Sequence, residues 1–246
     1  MWRRYVIGVV GSVFLAGIVT LCTVTAATAA GSPAEQKCQE RRYAAASKFL
    51  ACEHKATGKS GFDEFGYSFV QALSKCRLKY AATWPKIQAA SPGTSCDQPR
   101  FTAVDGTVVD RLTGLQWEQK TVDGGIHDVD DRYTWSESAV SDGDGTAFTT
   151  FLPALDSAPC FAGHCDWRLP TRAELETLVT EAFPCTTVPC IDAVFGPTAT
   201  EDFYWTSVTD AVEPEGAAWG VSFGNGFVND DWKDSFDFVR AVRGGL

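Results

Sequence analysis

Gly220-Val221-Ser222-Phe223-Gly224 has the G-x-S-x-G spacing of a nucleophile elbow. In a hydrolase that serine stands between a strand and a helix, and the acid and the histidine follow it in the chain. Here a hairpin-type turn follows, Gly224-Asn225-Gly226, and the histidines (His54, His127 and His164) all lie upstream. Acyl-transfer chemistry is therefore not expected. Cys160, His164, Cys165, Cys185 and Cys190 are ligand types that zinc takes. In an oxidising compartment the same cysteines form disulfides, and the two C-x4-C spacings invite local bridges, Cys160–Cys165 and Cys185–Cys190. Oxygen chemistry is the third candidate. Asp128, Asp130 and Asp131 crowd one Asp-rich loop, and Asp142 and Asp144 another. Calcium takes six to eight oxygens from such closely spaced groups, although neither loop is a complete EF-hand. The competing reading is a pair of solvated turns in which Asp accepts local backbone N–H bonds.

These residues need elements to hold them, and the chain supplies two units after a processing signal. Trp2-Arg3-Arg4 is a basic opening, Tyr5 to Cys22 is apolar, and small residues end at Ala30. This pattern predicts a secretory signal over residues 1–30. Its removal takes one of nine cysteines and leaves eight, an even number suited to a disulfide framework in an exported chain. Residues 31–100 hold eleven Lys/Arg against six Asp/Glu; residues 101–246 hold eight against 25, a net of −17. So acidic a unit should repel nucleic acid, heparin-like polymers and anionic lipid, and should attract cations.

The unit at 31–96 is expected to be a helical hairpin. Cys38, Ala45, Phe49 and Cys52 share one helical face, and Phe62, Phe65, Phe69, Leu73, Cys76 and Tyr80 share another. Pro85 should kink or end the second helix. Four cysteines allow three pairings; a nested set, Cys52–Cys76 inside Cys38–Cys96, suits antiparallel helices. No chemistry is visible there, and a spacer role is expected. The unit at 97–246 carries short β-like runs ending in Tyr204–Ser207, Ala218–Phe223 and Phe238–Val242. Within it, Thr171 and Glu174 form a capping box, so "WRLPTRAEL" reads as the entry to a helix that buries Leu175, Leu178 and Val179.

Six motifs then give a resemblance. In order they are "DGTVVDRLTGLQW" (105–117), "YTWSESA" (133–139), "CDWRLPTRAELETLV" (165–179), "YWTS" (204–207), "AWGVSFGNGFVN" (218–229) and "VRAVRGG" (239–245). Together they resemble the C-terminal domain family of the Legionella collagen-like protein, Lcl, over residues 101–246. The resemblance implies an α+β, C-type-lectin-like fold: a twisted antiparallel sheet with flanking helices and long loops, here preceded by the disulfide-linked hairpin. It also implies an exported binding protein whose late strands and loops, Ser222 through Asp237, meet the ligand. "RLPTRAELE" is similar to a corner of formylglycine-generating enzyme, which shares that fold. That chemistry uses a cysteine pair near the C-terminus, and no cysteine follows Cys190 here. Basic-surface glycosaminoglycan binding does not carry over to so acidic a unit either.

Late in the unit, Glu213-Pro214-Glu215 precedes Asn229-Asp230, the order of the E-P-x and W-N-D segments around calcium in sugar-binding C-type lectins. Trp232 stands after Asn-Asp rather than before it, and so short a match arises readily by chance. Trp117, Trp135, Trp167, Trp205 and Trp219 lie in the family motifs and are expected in the core. Trp232, among polar residues, suits a platform for a sugar ring or a protein surface. The expected ligand-contacting set is Glu213, Glu215, Asn225, Asn229, Asp230, Asp231, Trp232 and Asp234. The expectation is a non-enzymatic binding protein for a glycan or protein ligand, with calcium at the Asp loops as a candidate cofactor. The alternative is an envelope structural module acting through homo- or hetero-oligomer contacts.

Overall fold

The computed structural model describes residues 32–60, 67–138 and 143–245. The export signal expected at 1–30, together with Phe62, Phe65 and Asp142, lies outside them. Residues Gly31–Leu246 form one compact unit of helices and two sheets, an α+β chain. Among the described residues no helix is long and apolar enough to cross a membrane.

Helices α1 (Pro33–Ser60) and α2 (Tyr67–Ala81) pack side by side. Cys52–Cys76 joins them, and Cys38–Cys96 closes the outer loop, so the pairing is nested. Phe49 and Tyr80 stack at 4.7 Å between the two helices. Pro85 does not end α2, which stops at Ala81; it sits in the first turn of a new short helix, α3 (Trp84–Ala89). That position suits a residue with no N–H, because first-turn N–H groups have no intrahelical partner. The hairpin is not a free-standing spacer. Leu112 enters its core cluster, Arg42 donates to the Leu112 carbonyl at 3.3 Å, and the Phe183 N–H donates to Ser74 Oγ at 3.0 Å. Arg77, buried in α2, donates to the Gly226 carbonyl at 3.2 Å and lies 3.5 Å from the buried Glu176 carboxylate.

The β-rich part begins with β1 (Phe101–Val104), β2 (Thr107–Asp110) and β3 (Leu115–Glu118). After β4 (Arg132–Tyr133) the chain makes a π-helical turn into α4 (Leu152–Asp156). Next comes α5 (Arg172–Glu176), entered through the expected capping box: Thr171 Oγ1 accepts from the Glu174 N–H, and Glu174 accepts from the Thr171 N–H. Arg168 closes the corner with two bonds to Glu174 at 2.8 and 2.7 Å. Leu175, Leu178 and Val179 are buried, as their spacing predicts. The bridges Cys160–Cys165 and Cys185–Cys190 flank this corner. The chain ends with β5 (Phe203–Thr209), β6 (Ala217–Ser222), β7 (Val228–Trp232), β8 (Asp237–Phe238) and β9 (Val242–Gly244).

One sheet has the order β1-β2-β3-β9, the other β4-β8-β5-β6-β7. The single strand expected at Phe238–Val242 is therefore two. Residues 239–241 pass from one sheet to the other, and a polar junction holds the crossing. The Glu118 N–H donates to the Ala241 carbonyl at 2.9 Å, and the Ala241 N–H donates to Glu118 Oε2 at 3.0 Å. Arg240 Nη1 donates to the carbonyls of Glu118 and Phe195 at 2.9 and 3.1 Å. Lys120 Nζ and His127 Nδ1 reach Glu118 Oε1 at 3.0 and 2.8 Å. Burial pushes the Glu118 carboxyl up, but Lys120, His127 and the Ala241 N–H outweigh it and hold the group below its ordinary value.

Glu118 is fully buried and Lys120 nearly so. Removing one partner of such a pair strands the other charge, so Glu118→Leu should cost about 3 kcal/mol, while Glu118→Leu with Lys120→Met should recover much of that loss. Denaturant unfolding measures both. A single variant that costs no more than an exposed substitution would show the junction to be dispensable.

Candidate ligand-binding site

β7 is an edge strand: it pairs with β6 from Ala217↔Trp232 to Val221↔Val228 and, among the described residues, has no partner on its other side. Beside it runs the loop joining β5 to β6. Asp210, buried, shapes that loop by accepting from the N–H groups of Val212 and Glu213, both at 3.2 Å. The N–H groups of Gly216 and Ala217 return to the Glu213 carbonyl at 3.1 and 2.9 Å. From β7's end, the buried Lys233 donates to the Pro214 carbonyl at 2.6 Å, with its ammonium 4.3 Å from the Trp135 ring centroid. These bonds present an open cavity of about 550 Å³ lined by Asp210, Val212, Glu213, Asn229, Asp230, Asp231 and Trp232.

The cavity is anionic. Burial raises the Asp230 carboxyl above its ordinary value, and Asp210, Glu213 and Asp231 add to the rise. Among the described residues no Lys or Arg lines it. Trp232 on the rim is 57% exposed, and Val212 and Phe236 are also exposed. The ring lies over Gly216, where an added Cβ would sit 3.0 Å from Trp232 Cζ3. The close approach fixes one side of the indole and leaves the rest to solvent. Chemically, the carboxylates can accept hydrogen bonds from hydroxyl or ammonium groups, and the indole can stack on an apolar ring face or a cation. The other five tryptophans of this part of the chain are all buried, as expected.

Folding thus gathers Glu213, Asn229, Asp230, Asp231 and Trp232 from the expected set. Glu215, Asn225 and Asp234 do not line the cavity. Asn225 belongs to the β6–β7 turn, where its Oδ1 accepts from the Phe227 N–H at 2.8 Å. Asp210 and Val212 join the site without any local sequence signal, since Asp210 acts through backbone bonds that only the folded loop shows.

The Asp loops look different. Asp128 spends its oxygens on the N–H groups of Gly124 and Asp130, at 2.6 and 3.0 Å. Asp144 accepts from Ser136 Oγ, the Glu137 N–H and Ser138 Oγ. Asp131 receives a long bond from Tyr133, 3.5 Å, and Asp130 is exposed. Among the described residues the carboxylates of Asp128, Asp130, Asp131 and Asp144 do not converge as a group of three ligand atoms. The cysteines of the zinc reading are all spent in disulfides. Ser222 ends β6, with its Oγ accepting from the Gly224 N–H at 3.2 Å.

A family model described as Lcl C-terminal domain matches residues 106–243. Comparison with curated proteins finds no match.

An indole this exposed contributes little to folding. Trp232→Ala should change unfolding free energy by less than about 1 kcal/mol. A loss as large as that of a core tryptophan, about 3–5 kcal/mol in the same denaturant titration, would make Trp232 a structural residue and remove it from the site.

Proposed function

Since the chain belongs to the Lcl C-terminal domain family, we propose that it is an exported, adhesion-like binding protein, not an enzyme, and that its ligand sits on the β7 face. The observation that carries this reading is Trp232, exposed on the rim of a carboxylate-lined cavity. Four disulfides support residence in an oxidising compartment. The ligand class best served is a neutral or amine-bearing glycan. Its ring would stack on the indole, and its hydroxyls or ammonium groups would donate to Asp230, Asp231 and Glu213. Sulfated or uronic-acid polymers are disfavoured by like charge.

A second reading, a protein partner or a second copy of the chain, draws support from the unpaired edge of β7 and from exposed Val212 and Phe236. Aspartates on that edge discourage indiscriminate strand pairing, and this favours the glycan.

Array binding with the oxidised mature chain separates these readings. Trp232→Ala and Asp230→Asn should each cut glycan retention at least roughly tenfold, the loss of a buried stacking or charged hydrogen-bond contact, with the melting temperature unchanged. Retention that survives both substitutions would overturn the assignment of this face. Loss of self-association in ultracentrifugation, with no glycan bound by the wild type, would support the second reading.

A further inference from the structure

Sequence separates Asp202, Asp231 and Asp237, but the fold brings one carboxylate oxygen of each to within 4.8 Å of the others. Asp202 precedes β5, Asp231 is in β7, and Asp237 opens β8. Asp237 is 1% exposed, and its Oδ2 has no hydrogen-bond partner. An unpaired buried carboxylate oxygen is costly, and another pair of carboxylates beside it makes it more so. Burial first, then Asp231 and Asp202, push the Asp237 carboxyl up to about 7. One cation is near: Arg132, with Nη1 2.6 Å from Asp202 Oδ2 and its guanidinium 4.4 Å from the Phe238 ring centroid. It lowers Asp237 only as the least of the causes. Asp231 Oδ1 is taken by the Trp232 N–H at 2.7 Å and Ser235 Oγ at 3.2 Å. Three carboxylates and one guanidinium leave the group short of positive charge, with an oxygen waiting for a partner.

We propose that Asp202, Asp231 and Asp237 form a calcium site that ties the β7–β8 connection, and Trp232 with it, to the start of β5. All three donors are hard oxygens, the type calcium and magnesium share. They come from three separate segments, two of them half-buried, so water can complete an irregular shell. Calcium tolerates such a shell; magnesium demands a strict octahedron. The site would also give Asp237 Oδ2 the partner that the protein itself does not supply. Asp231 both lines the ligand cavity and belongs to the cluster, so the ion would fix the strand end that presents the indole. The proposal does not depend on what that cavity binds.

The test is a thermal melt of the oxidised mature chain at about pH 8, where an acid near 7 is ionised, in chelator, millimolar calcium or millimolar magnesium. Wild type should gain several degrees with calcium and little with magnesium, because an ion that binds only the folded form stabilises it. Asp237→Asn should melt no lower than wild type in chelator and should lose the calcium gain. Asp202→Asn should raise the calcium midpoint by at least roughly tenfold. Asp230→Asn, in the ligand cavity but outside the cluster, should keep the gain. Absence of a calcium-selective gain in wild type, or its survival in Asp237→Asn, would overturn the site and leave Asp237 as a buried protonated acid.

Discussion

The two sheets meet where the chain crosses between them, and that crossing depends on Glu118 and Arg240. A segment leaving one sheet and joining another exposes backbone groups that neither ladder satisfies, and burying them unpaired is costly. Here Glu118 meets the crossing with its backbone and its carboxylate, and Arg240 serves the carbonyls of Glu118 and Phe195. The position of β8 beside β5 follows from where residues 239–241 leave the first sheet. β5 carries β6, and β6 carries the edge strand of the proposed ligand face. A charge-bearing junction deep in a core is an expensive way to set geometry. It is tolerated because Lys120 and His127 balance the one carboxylate and both terminal nitrogens of Arg240 are bonded, with only its Nε left without a partner.

The ligand face shows a different balance. An unpaired strand edge invites pairing with other chains, and aspartates along it oppose that. The same aspartates make the cavity anionic and crowd one another. Mutual repulsion of this kind weakens folding locally and is the usual cost of a polar site built to meet something else. The two acid groups share Asp231 but differ in depth. Asp230 lines the open cavity, whereas Asp237 is buried and does not line it.

Local chemistry was legible in the sequence. The capping box at Thr171 and Glu174, the helical faces of the hairpin and the Gly224–Gly226 turn each depend on residues a few positions apart. The folded chain shows them as read over the described residues. The two C-x4-C spacings suggest the local bridges, whereas the nested set is one of three pairings between which the sequence does not choose. The break of the last strand was not legible. Phe238 to Val242 is an apolar run interrupted only by Arg240, as a strand could be, and nothing local says that Arg240 turns inward to carbonyls from residues 118 and 195. Nor could the sequence reveal that β4 and β8 are two-residue strands paired with each other. For the acids the difficulty is the same. Asp128 and Asp144 look like ligands in a linear reading because they stand among other acids and glycines. They are turn-formers, and the convergent group is assembled from residues 202, 231 and 237.

The hairpin at the start of the chain bears on the ligand face at the other end of β7. Arg77 donates to the Gly226 carbonyl, and the Cys185 N–H donates to the Asn225 carbonyl at 2.8 Å in the same turn. Gly226 has φ +78°, and a Cβ on it would lie 2.8 Å from Cys185 Sγ, so the turn is packed too tightly for a side chain. At the opposite end of β7, the Lys233 N–H donates to the Gly216 carbonyl at 2.9 Å while its ammonium holds Pro214. The strand is thus fastened at both ends, and its polar middle and the Trp232 indole are left to solvent. Binding loses free energy to every side chain and loop it must order, so a face already held in place keeps more of each contact. On that argument the hairpin is part of the support of the proposed ligand site, although it contributes no described residue to the cavity.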